Sequence, residues 1–254
     1  MAGGSLSGRL DAARTRGAVP PRYRAVFLDV GGTLLHPDRA FILSCLQEHG
    51  FPADTAAYDA AEVVARERVA EKLRSGDSGD DAARARLYWA TLLEALSCDP
   101  AALSSIGAAI VARNEEGRLW LEPEPGAADA LAVLRRDGYV LAAVSNSDGR
   151  AETYLQAAGL RDLLDFVVDS AAVGVEKPDP RIFEIACERA GVAPHEAVHV
   201  GDIYEVDVVG ARSAGLGALL VDPGHRHTSL DCERIRSVSE LPGWLKSVRP
   251  VAAD

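Results

Sequence analysis

Strand and helix signals alternate through the second half of this chain, and each helix stops near a glycine. Tyr139–Val144, Phe166–Asp169, Ala197–Val200 and Ala218–Val221 read as short apolar strands. Ala127–Arg136, Ala151–Ala158, Arg181–Ala190 and Val206–Ala214 read as helices between or before them, followed by Gly138, Gly159, Gly191 and Gly215. Glycine adopts the left-handed conformation that ends helices at no steric penalty. Such alternation predicts an α/β fold, with a parallel sheet covered by helices on both faces. Ala25–Val30 supplies the first strand.

Residues 38–118 carry a different pattern. They are rich in Ala, Arg, Glu and Leu and show no strand signal. Asp54–Arg74 and Asp81–Ser97 place apolar residues at helical spacing, separated by the polar run Ser75–Asp80. A helical insertion between the first strand and the rest of the sheet is the expectation. The organisation this predicts is a core over 22–37 and 119–245, a helical insertion over 38–118, and tails at 1–21 and 246–254. Residues 1–24 hold five arginines against one acid and lack the apolar centre of a signal peptide. A disordered tail is expected for 1–21 rather than an organellar transit peptide.

Composition narrows the function classes. The net charge of −11 argues against nucleic-acid or anionic-membrane partners. No apolar run approaches the ~20 residues of a membrane span. Cys45, Cys98, Cys187 and Cys232 lie far apart and make no Cys-x-x-Cys pair. A reducing, cytoplasmic setting is therefore expected rather than a zinc site or disulfide framework.

Polar residues recur where strands end, the usual place for a ligand in an open α/β sheet. Val26-Phe27-Leu28 runs into Asp29, and Val30-Gly31-Gly32-Thr33 follows as a turn. A carboxylate there can attack phosphorus and hold the phosphoryl group as an acyl phosphate. Ser145-Asn146 ends another strand, where a hydroxyl and backbone N–H groups can bind phosphate oxygens. Glu176-Lys177-Pro178-Asp179-Pro180 places a lysine before two prolines that fix an extended entry to a helix. Gly201-Asp202 ends a third strand, and Asp207 follows on the next helix. Taken singly, most of these are turns, helix-start acids or solvated charges; their order along the chain is the signal.

These segments together resemble the haloacid dehalogenase (HAD) superfamily over about residues 24–240. Its first motif reads Asp-x-Asp-Gly-Thr, matched here at Asp29, Gly32 and Thr33. Ser145, the Lys177-Pro-Asp-Pro segment and the Gly201-Asp202…Asp207 run are similar to its later motifs. The resemblance implies a Rossmann-like parallel sheet with an α-helical cap inserted between motifs one and two. It implies an Mg²⁺-dependent phosphatase of small phosphorylated metabolites acting through an aspartyl-phosphate. In that scheme Asp29 is the nucleophile and Lys177 offsets its charge. Ser145, Asn146 and Thr33 bind substrate. Asp29, the Gly31 carbonyl and Asp202 hold Mg²⁺, and Asp207 orients its waters or Lys177. The small residues of Gly210-Ala211-Arg212-Ser213-Ala214-Gly215 suit close helix packing.

Gly31 departs from the pattern. Phosphatases of the superfamily carry a second aspartate there as general acid and base, help typically worth about 10²–10⁴-fold. A weakly active metal- and phosphate-binding protein with a regulatory role is therefore the alternative. A dehalogenase-type hydrolase is third, disfavoured because dehalogenases carry tyrosine at that position and replace the motif-four acid, whereas Asp202 and Asp207 are kept. Phosphonoacetaldehyde hydrolases have a small residue there but use a cap lysine, and Lys72 reads as a solvated helix charge. His36 is the first substitute acid to consider, though a histidine before proline reads more simply as a loop residue. His199 reads as a satisfied core histidine, and His195, His225 and His227 as loop residues.

Overall fold

The computed structural model describes residues 22–76, 79–224, 226 and 228–248. The tail at 1–21, His225 and His227, and residues 249–254 lie outside it. The chain divides into two compact units, Pro37–Glu122 and the remainder.

The larger unit is built on a six-stranded sheet. Its strands are β1 (Ala25–Leu28), β4 (Val140–Ser145), β5 (Phe166–Asp169), β6 (Ala197–Gly201), β7 (Gly217–Val221) and β8 (Glu233–Ile235). Leu35–Pro37 (β2) and Trp120–Pro123 (β3) form a separate two-stranded sheet. The order in the large sheet is β5-β4-β1-β6-β7-β8, and every ladder is parallel. Sheets of this kind bury both faces, so their strands are continuous apolar runs. Every residue of β1, β4 and β6 is accordingly buried. On one face Phe27, Ala142 and Val144 pack with Ile182, Phe183 and Ala186 of the helix Pro180–Ala190.

This order places β1 at a topological switch point. The chain winds outward from β1 through β4 to β5, then returns to β1's other edge as β6. In open α/β sheets, loops on the two sides of such a strand diverge, and ligands bind outside the strands' carboxyl ends there. Leu28 pairs with Ala143 on one side and Val200 on the other, so Asp29, Val144 and Gly201 come level.

Among the described residues the smaller unit contains four helices, and an aspartate opens each one. Asp38, Asp54, Asp80 and Asp99 accept the backbone N–H of Phe41, Ala57, Ala83 and Ala102. Such a cap is worth about 1 kcal/mol per helix. Thr55–Arg74 and Asp81–Ala95 correspond to the two helices expected from periodicity. The second stops before Ser97, whose φ of 63° is incompatible with helix. Arg39–Glu48 and Pro100–Glu115 are additional, and Ile42, Leu46, Tyr58, Leu92, Leu93 and Ile106 form the unit's core.

Three expectations need correction. The helix over Val206–Ala214 is instead a π-helical turn, Tyr204–Val208, running into the α-helix Val209–Ser213. Val209 N–H bonds the Tyr204 carbonyl, one residue further back than in an α-helix. Residues 246 and 247 are no frayed tail, because the helix Leu241–Ser247 contains them and buries Leu241 and Leu245. His36 is not in a loop: it lies in β2 and its Nε2 bonds Glu124 Oε2 at 2.7 Å.

Candidate active site

Asp29 follows the last residue of β1, its N–H bonded to the Val200 carbonyl at 2.9 Å. The next turn is closed by Leu34 and Leu35 N–H groups on the Val30 carbonyl. Gly32 has a φ of 79°, the left-handed region, while Gly31 is outside that region. The glycine that the turn requires is thus Gly32. Thr33 is fully buried, with its Oγ1 unpartnered.

Lys177 reaches Asp29 from an irregular segment after Gly174. Its Nζ donates to Asp29 Oδ1 and to Asp207 Oδ1, each at 2.7 Å. Both contacts are buried, with Lys177 and Asp207 each 1% exposed. Asp207 has further partners: His199 Nε2 lies 2.9 Å from the same oxygen, and Ile203 N–H donates to Oδ2 at 3.0 Å. The π turn delivers this carboxylate back over Gly201. A methyl at Gly201 would overlap the Asp207 carboxylate, so the strand must end in glycine there. We expect Gly201→Ala to destabilise the fold by at least the ~1–3 kcal/mol of an overpacked core. Urea unfolding of the two proteins measures this, and an unchanged midpoint would contradict the close approach.

Electrostatics sort the cluster into roles. Burial alone would depress the Lys177 ammonium, but Asp207 and Asp29 hold it well above its ordinary value. Burial would raise Asp207, but Lys177 and the His199 hydrogen bond hold it well below the carboxylate range. Burial pushes Asp29 up, Asp207 and Asp202 add to that, and Lys177 opposes them incompletely. One ammonium thus serves two buried carboxylates and leaves Asp29 under-compensated. Carboxylate oxygens of Asp29, Asp202 and Asp207 lie within 4.8 Å of one another. This all-oxygen donor set fits a hard divalent cation such as Mg²⁺. Asp29 and Asp202 suit it best, because Asp207 already accepts three hydrogen bonds.

The β4 loop completes the site. Ser145 is buried at the strand end, and its Oγ makes only a 3.3 Å bond to the Asn146 carbonyl. Asn146 turns its side chain to the Lys177 backbone: Oδ1 accepts from Lys177 N at 2.7 Å, and Nδ2 donates to Lys177 O at 2.9 Å. Ser147 N–H bonds Ser170 Oγ at 3.0 Å, and Gly149 N–H bonds Asp169 Oδ1 at 3.1 Å.

The structure therefore brings Asp29, Lys177 and Asp207 into direct contact, with Asp202 beside them. Asn146 is engaged with Lys177. Sequence reasoning missed three supporting residues. His199 was read as a core residue with no named partner, although it shares a strand face with Gly201, where Asp207 docks. Asp169 and Ser170 carried the signal used elsewhere, polar residues ending a strand, but the loop they hold lies across a neighbouring strand.

The chain belongs to the haloacid dehalogenase-like hydrolase family, whose profile matches residues 23–215. Haloacid dehalogenase-like hydrolase domain-containing protein 3 of Mus musculus is 49% identical over 96 residues, 38% of this chain and 38% of that protein. A phosphoserine phosphatase of Thermus thermophilus is 46% identical over 115 residues, 44% of this chain and 45% of its own length. These matches thus span less than half of either relative. Among solved structures, a HAD phosphatase from Thermococcus onnurineus superposes with a TM-score of 0.56 at 26% identity, covering 89% of this chain and 99% of that one. Among the described residues, no helix is long and apolar enough to cross a membrane.

Proposed function

We propose that this chain is an Mg²⁺-dependent phosphohydrolase of small phosphorylated metabolites, with Asp29 as nucleophile. The observation that carries this reading is the pair of 2.7 Å bonds from Lys177 Nζ to Asp29 and Asp207. They hold Asp29 Oδ1 at the switch point, and in this reading Oδ2 is the attacking oxygen. That oxygen attacks phosphorus in line with the bond to the leaving group. The new O–P bond forms, the bond to the leaving oxygen breaks, and the leaving oxygen departs with the electron pair. Asp29 then carries the phosphoryl group as an acyl phosphate. Water attacks phosphorus, the Asp29 O–P bond breaks, and inorganic phosphate leaves with the carboxylate restored. Lys177 stays protonated throughout and offsets charge on Asp29 and the phosphoryl group. Ser145 Oγ binds a phosphoryl oxygen, with the buried Thr33 in the turn after the nucleophile.

Asp29, Asp202 and the Gly31 carbonyl would hold Mg²⁺, which when bound supplies positive charge to the transferring phosphoryl group. Asp202→Ala should weaken Mg²⁺ binding by more than about 10-fold, a loss that even an outer-shell partner can bring. Calorimetric titration of both proteins reads it, and equal affinities would move the cation elsewhere. The helical unit Pro37–Glu122 acts as the cap and supplies substrate specificity. The location is the cytoplasm, in keeping with four free cysteines.

The test is hydrolysis of an aryl phosphate with and without Mg²⁺. Metal-dependent turnover supports the proposal. Metal binding without turnover supports the second reading, a binding or regulatory protein. That reading draws on Gly31, which has no side chain to donate a proton, and on the engagement of His36 with Glu124.

A further inference from the structure

Resting on this reading, we infer that Asn146 is a positioning residue that acts through Lys177 rather than a ligand of the substrate. Lys177 has to meet two carboxylates at once with a flexible four-carbon stem, yet neither helix nor strand holds its backbone. Its N–H and carbonyl would lack a secondary-structure ladder, and unsatisfied backbone groups are expensive. The Asn146 amide satisfies both in one cyclic pair, 2.7 Å and 2.9 Å long, across 31 residues of sequence. Two bonds to one peptide segment fix its orientation as well as its distance.

The segment has a second close neighbour. A methyl on Gly210 would lie 2.9 Å from Pro178 Cα, so that helix packs tightly against the residue after Lys177. Asn146 therefore decides where the Lys177 backbone sits, and with it the reach of Nζ to Asp29. Asn146 also adjoins Ser145 at the end of β4, next to the strand that carries Asp29. One side chain thus ties the phosphate-binding strand end to the lysine.

The experiment compares wild type, Asn146→Ala and Asn146→Asp. The aspartate variant keeps volume and the acceptor for Lys177 N. It turns the donor into an acceptor facing the Lys177 carbonyl, so it serves if truncation does not fold. A remote core variant, Leu131→Ala, is included to match any loss of Tm. The first readout is steady-state hydrolysis of an aryl phosphate, with inorganic phosphate as inhibitor. Positioning predicts that kcat falls by about 10–100-fold, with KM and the phosphate inhibition constant unchanged.

The second readout needs no turnover: acylation of lysines by an amine-reactive anhydride, located by mass spectrometry. The sequence has only Lys72, Lys177 and Lys246, and the exposed Lys72 and Lys246 serve as internal standards for buried Lys177. Lys177 should be protected in wild type and Leu131→Ala, and labelled faster in both Asn146 variants. A raised KM and phosphate constant with kcat unchanged would overturn the inference, by making Asn146 a substrate ligand. So would Lys177 labelling no faster than in Leu131→Ala. A wild type that hydrolyses nothing would count against the phosphohydrolase reading alone, and the labelling would still decide the role of Asn146.

Discussion

Asp29→Asn should abolish hydrolysis while leaving the fold at least as stable as wild type. The amide keeps an oxygen in the place of Oδ1, so the 2.7 Å bond from Lys177 Nζ survives. Lys177 also keeps its ion pair with Asp207. What disappears is an anion that burial and two neighbouring carboxylates disfavour. Removing it therefore leaves no uncompensated charge behind. Chemistry is affected much more, because an amide oxygen does not form a competent acyl phosphate. Loss of a nucleophile lowers turnover on the order of 10⁴–10⁶-fold. The measurements are kcat/KM on an aryl phosphate and the calorimetric Tm of both proteins. A folded Asp29→Asn protein with wild-type turnover would remove the nucleophile assignment.

The parallel sheet was legible because its cause is local and repeated. Buried strands must be apolar throughout, and helices need terminators, so Phe166–Asp169 and Ala127–Arg136 read at their observed limits. Asp29, Asp202 and Lys177 were legible for a related reason: each follows an apolar strand where it ends, or sits before prolines. The contacts were not. Nothing in the local pattern at 204–208 announces a π turn rather than an α turn. The difference lies in Asp207 reaching back to Lys177, His199 and Ile203, contacts that exist only once the strands are assembled. The helices Arg39–Glu48 and Pro100–Glu115 carried a readable start, an aspartate N-cap and in the second case a following proline. Asn146 shows the limit most clearly, since its type and place suit phosphate binding equally well.

The missing acid at Gly31 gives the other large expected effect, a steep dependence of rate on the leaving group. When phosphorus passes to Asp29, the departing oxygen takes the electron pair, and a side chain at position 31 would normally protonate it. Glycine does not. Aryl and acyl phosphates, whose leaving groups are stable as anions, should react readily. Alkyl phosphates should be slower by about 10²–10⁴-fold, the worth of general acid catalysis. A plot of log kcat/KM against leaving-group pKa should therefore slope strongly downward. Gly31→Asp should flatten it and raise the alkyl rates selectively. The backbone conformation permits this change, because the left-handed φ of the turn is at Gly32 and not at Gly31. A flat plot for the wild type would mean that another group already donates the proton. His36 would be first in question, although its Nε2 is bonded to Glu124 at 2.7 Å. His36→Ala would then steepen the slope, and a slope that stayed flat in that variant would rule His36 out.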